Sequence, residues 1–253
     1  MRDSDEFTRW TTEFEAKARA RARTGDPDWS AGATLHPALV RSIQRFQVGE
    51  SGDGAHLIAK ADAAGDPVYA AAVRLFVAEE ANHARLLLNL LHAAGEQPIS
   101  RHWTDAVFVV LRRGLGLRLE LMVLSIAEVI AIPYYSALRD GACDPLATRT
   151  AALILADEQR HIPFHAQRLR LAFAATPPGL RPLVRAVWRG ILHVAIAVVL
   201  VDHGRALRRL GCTRREFART ARALFGPICA TALPRPDREQ PSANPRSAGE
   251  AIG

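Results

Sequence analysis

An acidic pattern occurs twice in this chain, at an offset of 78 residues. Glu50 recurs as Glu128, the Asp66–Pro67 pair as Asp144–Pro145, and Glu80-x-x-His83 as Glu158-x-x-His161. The acid before each Glu-x-x-His is repeated as well, as Glu79 and Asp157. In chain order the result is Glu, Glu-x-x-His, Glu, Glu-x-x-His: four carboxylates and two imidazoles. A fold that uses one unit twice must find a place for both copies of these ionisable groups. The inventory suits a site for two metal ions inside a helix bundle, each helix pair supplying half of it.

Helical periodicity dominates the chain, and no stretch alternates as a strand would. An amphipathic helix is expected over about residues 4–22, followed by the breaker stretch GDPDWSAGATLHP. Helix A should run from Pro37 to Ala61 and helix B from Pro67 to Ala94. A helix from Thr104 to Arg139, interrupted near Gly114-Leu-Gly116, contains helix C; helix D should span Pro145 to Ala175. A fifth helix, Leu180–Leu210, and a shorter one, Thr213–Phe225, complete the set. Asp66 and Asp144 stand where N-caps belong, each before a proline that can open a helix without losing a needed N–H. Short A–B and C–D connections make each pair an antiparallel hairpin, so the 78-residue offset is one hairpin repeated. The expected division is an N-terminal helix and linker over 1–36, a helical domain over 37–226, and a tail over 227–253. The stretch from Pro234 onward, rich in Pro, Ser and charge, reads as disordered.

Which face each acid occupies decides its meaning. Glu50 continues the apolar stripe Leu39, Ile43, Phe46, Leu57; Glu80 and His83 continue Ala72, Phe76, Leu87, Leu90. Glu128 lies between Leu121, Leu124, Ala131 and Tyr135, and Glu158 and His161 follow Ile154. The candidate ligands are therefore Glu50, Glu80, His83, Glu128, Glu158 and His161, all placed on faces that should be buried. An ionised carboxylate in a low-dielectric core costs several kcal/mol by rough estimate, and four together repel one another. Two divalent cations offset that charge, and the i, i+3 spacing sets Glu and His on one face. Hard oxygens with one imidazole per metal suit iron or manganese better than a thiolate-loving ion. The bland alternative is a network of ion pairs with core arginines.

Other residues carry two readings. Glu79 and Asp157 either orient the ligand imidazoles from behind or are plain surface acids. His165 either lines the site or is a satisfied core histidine. Tyr134 and Tyr135 either place a phenol near the metals or only pack. Nothing in the sequence ties His193 or His203 to the site. Gly49, Gly52 and Gly54, around Glu50, are costly in a helix interior. They point to close packing, a local distortion or simple fraying.

Composition narrows the classes. The chain has 253 residues, 49% of them hydrophobic, enough for a sizeable core. The formal charge of +7 comes almost wholly from arginines scattered along helices and not massed in one tract, so nucleic acid is not the expected partner, although an RNA or acyl-carrier partner stays open. Three cysteines, Cys143, Cys212 and Cys229, fit neither a disulfide framework nor a zinc site and suit a reducing cytoplasm. The polar N-terminus does not read as a signal peptide, and the longest apolar run, Ile191–Val201, is too short to span a bilayer.

Over about residues 37–175 the pattern resembles the ferritin-like superfamily of dimetal carboxylate proteins. There, helices one and three each give a Glu and helices two and four each give Glu-x-x-His, matching the six ligands above. FVAEEANHARLL is similar to the Glu-Glu-x-x-His-Ala segment of rubrerythrin-type members. The resemblance implies an all-α, ferritin-like four-helix bundle with additional N-terminal and C-terminal helices. Those extra helices look more like the oxygenase branch (acyl desaturases, aldehyde-deformylating oxygenases, tRNA hydroxylases, N-oxygenases) than the compact storage ferritins. Without rubredoxin-like cysteine pairs, a self-contained rubrerythrin is disfavoured. The implied function is a cytoplasmic di-iron oxidoreductase, with two Fe ions or an Mn/Fe pair. It would use O2 to oxidise a small-molecule or carrier-bound organic substrate, with an external electron donor and no catalytic residues beyond the metal ligands. A homodimer is left open. The rival is an iron-binding, ferroxidase-type protein without an organic substrate.

Overall fold

The structure is a computed structural model that describes residues 2–52, 54–103 and 116–234. All regular structure among them is helical. The long helices are α1 (Arg2–Thr24), α2 (Pro37–Glu50), α4 (Pro67–Ala93), α5 (Leu117–Gly141), α6 (Pro145–Ala172), α7 (Arg181–Asp202) and α9 (Arg214–Ala232). Two short helices, α3 (Ala55–Ala63) and α8 (Gly204–Arg209), lie between them. The expected all-α class is what the chain adopts.

The repeat is visible as two hairpins. Asp66 accepts the backbone N–H groups of Val68 and Tyr69 at the start of α4, with Pro67 in the first turn. Asp144 accepts Ala147 N–H at the start of α6, with Pro145 in the same role. These caps satisfy donors that a helix start leaves unpaired. Helix α2 packs on α4, α5 on α6, and α4 on α6, which joins the hairpins. The expected stripes face inward: Ile43, Phe76, Leu87, Leu121 and Ile154 are buried.

Helix α1 is not an appendage. Phe7, Trp10 and Phe14 are buried. Phe7 lies 5.0 Å from Tyr69 between ring centroids, and Phe14 lies 5.4 Å from Phe164. Burying each such ring contributes roughly 2–3 kcal/mol, so α1 is held to the hairpins by its apolar face.

Three boundaries differ from the sequence expectation. Helix A is not continuous to Ala61: α2 ends at Glu50 and α3 begins at Ala55. The chain turns there because Gly54 takes a left-handed conformation, φ 64°, and a Cβ at that position would lie 2.4 Å from Val77 Cγ1 on α4. The glycines thus mark a local distortion. Second, the fifth helix stops at Asp202, where His203 turns the chain into α8. Third, α9 runs past Phe225 to Ala232, because Ile228, Cys229 and Ala232 continue its buried stripe. The boundary placed at 226/227 therefore falls inside a helix. The expected helix over 104–115 and the tail beyond residue 234 lie outside the described residues.

Among the described residues, two helices are long and apolar enough to cross a membrane: Leu117–Gly141, whose apolar window is 89% buried, and Pro178–Asp202, whose window is 17% buried. The first is the core helix α5. The second is longer than the run Ile191–Val201 on which the sequence argued against a span. The three cysteines are free, with Cys143 exposed and Cys229 buried.

Candidate metal centre

The six candidate ligands converge. Glu50, Glu80, His83 and Glu158 each place a ligand atom within 4.8 Å of the others, and so do Glu80, Glu128, Glu158 and His161. Glu80 and Glu158 belong to both sets, so the two groups overlap and either could hold a metal ion. The hairpins explain this. Glu80 and His83 lie one turn apart on α4, as do Glu158 and His161 on α6, while Glu50 ends α2 and Glu128 sits mid-way along α5. Glu128, Glu158, His83 and His161 are buried, and Glu50 and Glu80 are half-buried.

The polar atoms at the centre lack protein partners. Glu80 Oε1, His83 Nδ1, Glu158 Oε2 and His161 Nδ1 are buried and make no hydrogen bond. His83 Nδ1 lies 3.4 Å from both Glu80 Oε1 and Glu158 Oε1. His161 Nδ1 lies 3.3 Å from Glu80 Oε1 and 3.4 Å from Glu128 Oε2. Unmade hydrogen bonds of this kind cost roughly 1–3 kcal/mol each. Four orphaned donor atoms facing one another are what a cation site requires, and the donor set, carboxylate oxygens with imidazole nitrogens, fits divalent metal ions.

The electrostatics agree. Burial, then repulsion from Glu80 and Glu158, holds the Glu50 carboxyl well above the ordinary carboxylate range. Burial and the Glu128 carboxylate likewise raise Glu158. Burial alone would depress His83 and His161, yet the carboxylates around them outweigh it and raise both well above the usual imidazole range. The crowding that favours protons on these groups favours cations for the same reason, since each relieves the repulsion between buried acids.

Behind the ligands the two hairpins exchange partners. His83 Nε2, on the first hairpin, lies 3.3 Å from Asp157 Oδ2 on the second. His161 Nε2, on the second, lies 3.1 Å from Glu79 Oε2 on the first. The acid preceding each Glu-x-x-His thus orients the histidine of the other copy, and of the two readings of Glu79 and Asp157 the geometry favours the orienting one. Two arginines join these carboxylates. Arg21 Nη1 reaches Glu79 Oε1 at 2.5 Å and Asp157 Oδ2 at 3.3 Å. Arg160 Nη2 lies 3.1 Å from Glu79 Oε1 and 2.7 Å from Asp157 Oδ1. Although burial opposes it, hydrogen bonds from His161 and Arg21 lower the pKa of Glu79, and those from His83 and Arg160 lower that of Asp157. Arg21 was not readable as part of the site, since it lies 58 residues before Glu79 on a helix outside the repeat.

The remaining aromatic and histidine candidates separate. Tyr135 Oη donates to Glu50 Oε1 at 2.8 Å, so it positions a candidate ligand. Tyr134 instead stacks on Phe46, with ring centroids 3.7 Å apart, and lies 3.0 Å from Ser42 Oγ. His165 is buried beside the site, 3.6 Å from Glu128 Oε1, with its ring edge-on to Phe76. Burial and the neighbouring His161 depress its pKa to about 3. His203, which the sequence did not connect to the site, lies 2.7 Å from Ser42 Oγ and lines a cavity beside the carboxylates. His193 is exposed.

That cavity has a volume of ≈ 290 Å³. Glu50, Glu80, Glu128 and Glu158 form its polar end, while Ile130, Ala131, Ile191 and Val198 are among its apolar walls. It lies between α5 and α7 and reaches the surface beside Val194. No protein-family model, no curated protein and no solved structure matches this chain.

Proposed function

We propose that the chain is a ferritin-like dimetal carboxylate protein of the oxygenase or oxidase kind. It would bind two iron ions, or a manganese–iron pair, and use O2 to oxidise an organic substrate. One observation carries the choice of an organic substrate: an apolar cavity of ≈ 290 Å³ ends on the carboxylate cluster. A protein that only stores or oxidises iron has no use for such a chamber, whereas apolar walls around a few convergent polar groups are the usual form of a small-molecule site.

Iron, held by Glu50, Glu80, His83, Glu128, Glu158 and His161, would supply the redox chemistry and O2 reduction. Glu80 and Glu158, common to both ligand groups, would help to hold both ions. Asp157 and Glu79 hold His83 and His161 by Nε2, which fixes the rings and leaves each Nδ1 for a metal. Tyr135 fixes Glu50, the ligand nearest the break between α2 and α3. The Ile130, Ala131 and Ile191 walls exclude water and favour an apolar substrate portion. The arginine-rich surface steers an anionic substrate, carrier protein or reductase toward the molecule.

The test is O2 uptake by ferrous-loaded protein with excess reductant, with and without a panel of apolar compounds small enough for the cavity. The expected result is uptake exceeding the iron present and accelerated by at least one compound. Uptake that stops at the iron equivalents whatever is added supports the ferroxidase reading instead.

A further inference from the structure

Helix α7 is apolar on two opposite faces, and among the described residues only one of them is covered. Trp188, Leu192 and Ile196 are buried against the body of the protein. On the opposite side Leu183, Val187, Val194 and Val201 are 62%, 53%, 65% and 82% exposed. With Gly190 and Ala197 they form a stripe spaced four, three, four, three, four residues apart, the repeat of a helix–helix seam. No charged residue lies on that stripe. A helix apolar all round is ordinarily enclosed, and an exposed apolar strip of this length marks an interaction surface.

We infer that this face binds a second copy of the chain, through antiparallel pairing of α7 with its counterpart across a twofold axis near Leu192. The stripe is complementary to its own reverse. Antiparallel pairing sets Val194 against Gly190 of the second copy, Val187 against Ala197, and Leu183 against Val201, large against small along the centre. Parallel pairing sets Val194 on Val194 and leaves a gap at Gly190. A Cβ added at Gly190 meets nothing within 4 Å in the single chain, so there is room for a neighbouring helix to approach closely. The stripe is about 27 Å long, and the exposed side chains on both copies together offer roughly 1,000 Å², the lower bound of a specific interface. A bilayer surface is the less suitable occupant, because interfacial helices insert bulky Leu, Phe and Trp side chains and the middle of this stripe is Gly, Val and Ala.

The pairing also completes the cavity. Val194 and Val198 line it and sit at its mouth, and in the antiparallel arrangement the second copy's helix lies over them. The dimer would therefore close that side of the chamber.

Sedimentation equilibrium of the full chain, with the variant Val194→Glu, tests the pairing. Val194 is exposed, so the substitution should leave the helical circular dichroism unchanged. The expected result is a dimer for the wild type, with association weakened at least tenfold, toward monomer, in Val194→Glu. Mixing Gly190→Cys with Val194→Cys should give a disulfide-linked dimer faster than either variant alone. A monomeric wild type overturns the inference, as does a dimer indifferent to Val194→Glu, or faster cross-linking of Val194→Cys with itself. So does a monomer that floats with phosphatidylcholine–phosphatidylglycerol vesicles. None of these readouts depends on metal or turnover.

Discussion

At the scale of single residues, the centre is distinguished by what surrounds each ligand. Glu79 and Asp157 each touch an imidazole and share Arg21 and Arg160. Replacing Glu79 by Gln, or Asp157 by Asn, keeps shape and removes the charge that fixes the ring. Each substitution should weaken metal binding about 10- to 100-fold, measured by competition with a chelator of known affinity; a change below twofold would mean that these acids do not support the ligands. His203 offers a separate test. Burial first, then Arg45 and His102, depress its pKa to about 3, against about 6.5 in an unfolded chain. Between those values the unfolded state holds one proton more, so stability is lost as pH falls through the window. His203→Gln should reduce the slope of unfolding free energy against pH by about 1.4 kcal/mol per unit near pH 5, measured by urea titration. An unchanged slope would mean that His203 does not stay neutral in the folded protein.

At the scale of helices, the distortion after Glu50 sets where that ligand sits. Gly54 is left-handed and pressed on Val77, so Gly54→Ala should destabilise by about 2 kcal/mol or more. Gly49 is helical, and a Cβ there meets nothing within 4 Å; Gly49→Ala should be neutral or stabilising by up to about 1 kcal/mol. Thermal unfolding of the two variants separates them, and equal effects would contradict the account of the break. Much of this was legible in the sequence. The repeat located both hairpins, and Asp66–Pro67 and Asp144–Pro145 marked two helix starts, because capping is local chemistry. The continuation of apolar stripes through Glu50, Glu80, Glu128 and Glu158 placed the acids inward. The break at residue 51 was signalled by glycines but not located, since it depends on contact with Val77 from another helix. The extension of α9 past Phe225 was missed; although Pro227 lies within the helix, burial of Ile228 and Ala232 carries it on.

For the whole molecule, the two hairpins hold each other through the centre. Each supplies one Glu-x-x-His and the acid that steadies the other's histidine, so the site exists only when both are packed together. Without cations, the crowded carboxylates at the centre stay uncompensated at a cost in stability, so metal binding to the folded state alone should raise the unfolding temperature. The most direct test counts metal. Glu158 belongs to both ligand groups, so elemental analysis of iron-grown wild type beside Glu158→Gln, with folding verified by circular dichroism, addresses both ions at once. Wild-type protein should carry about two metal ions per chain, and Glu158→Gln should lose most of both. A metal-free wild type, or a variant that keeps the full complement, would contradict the account.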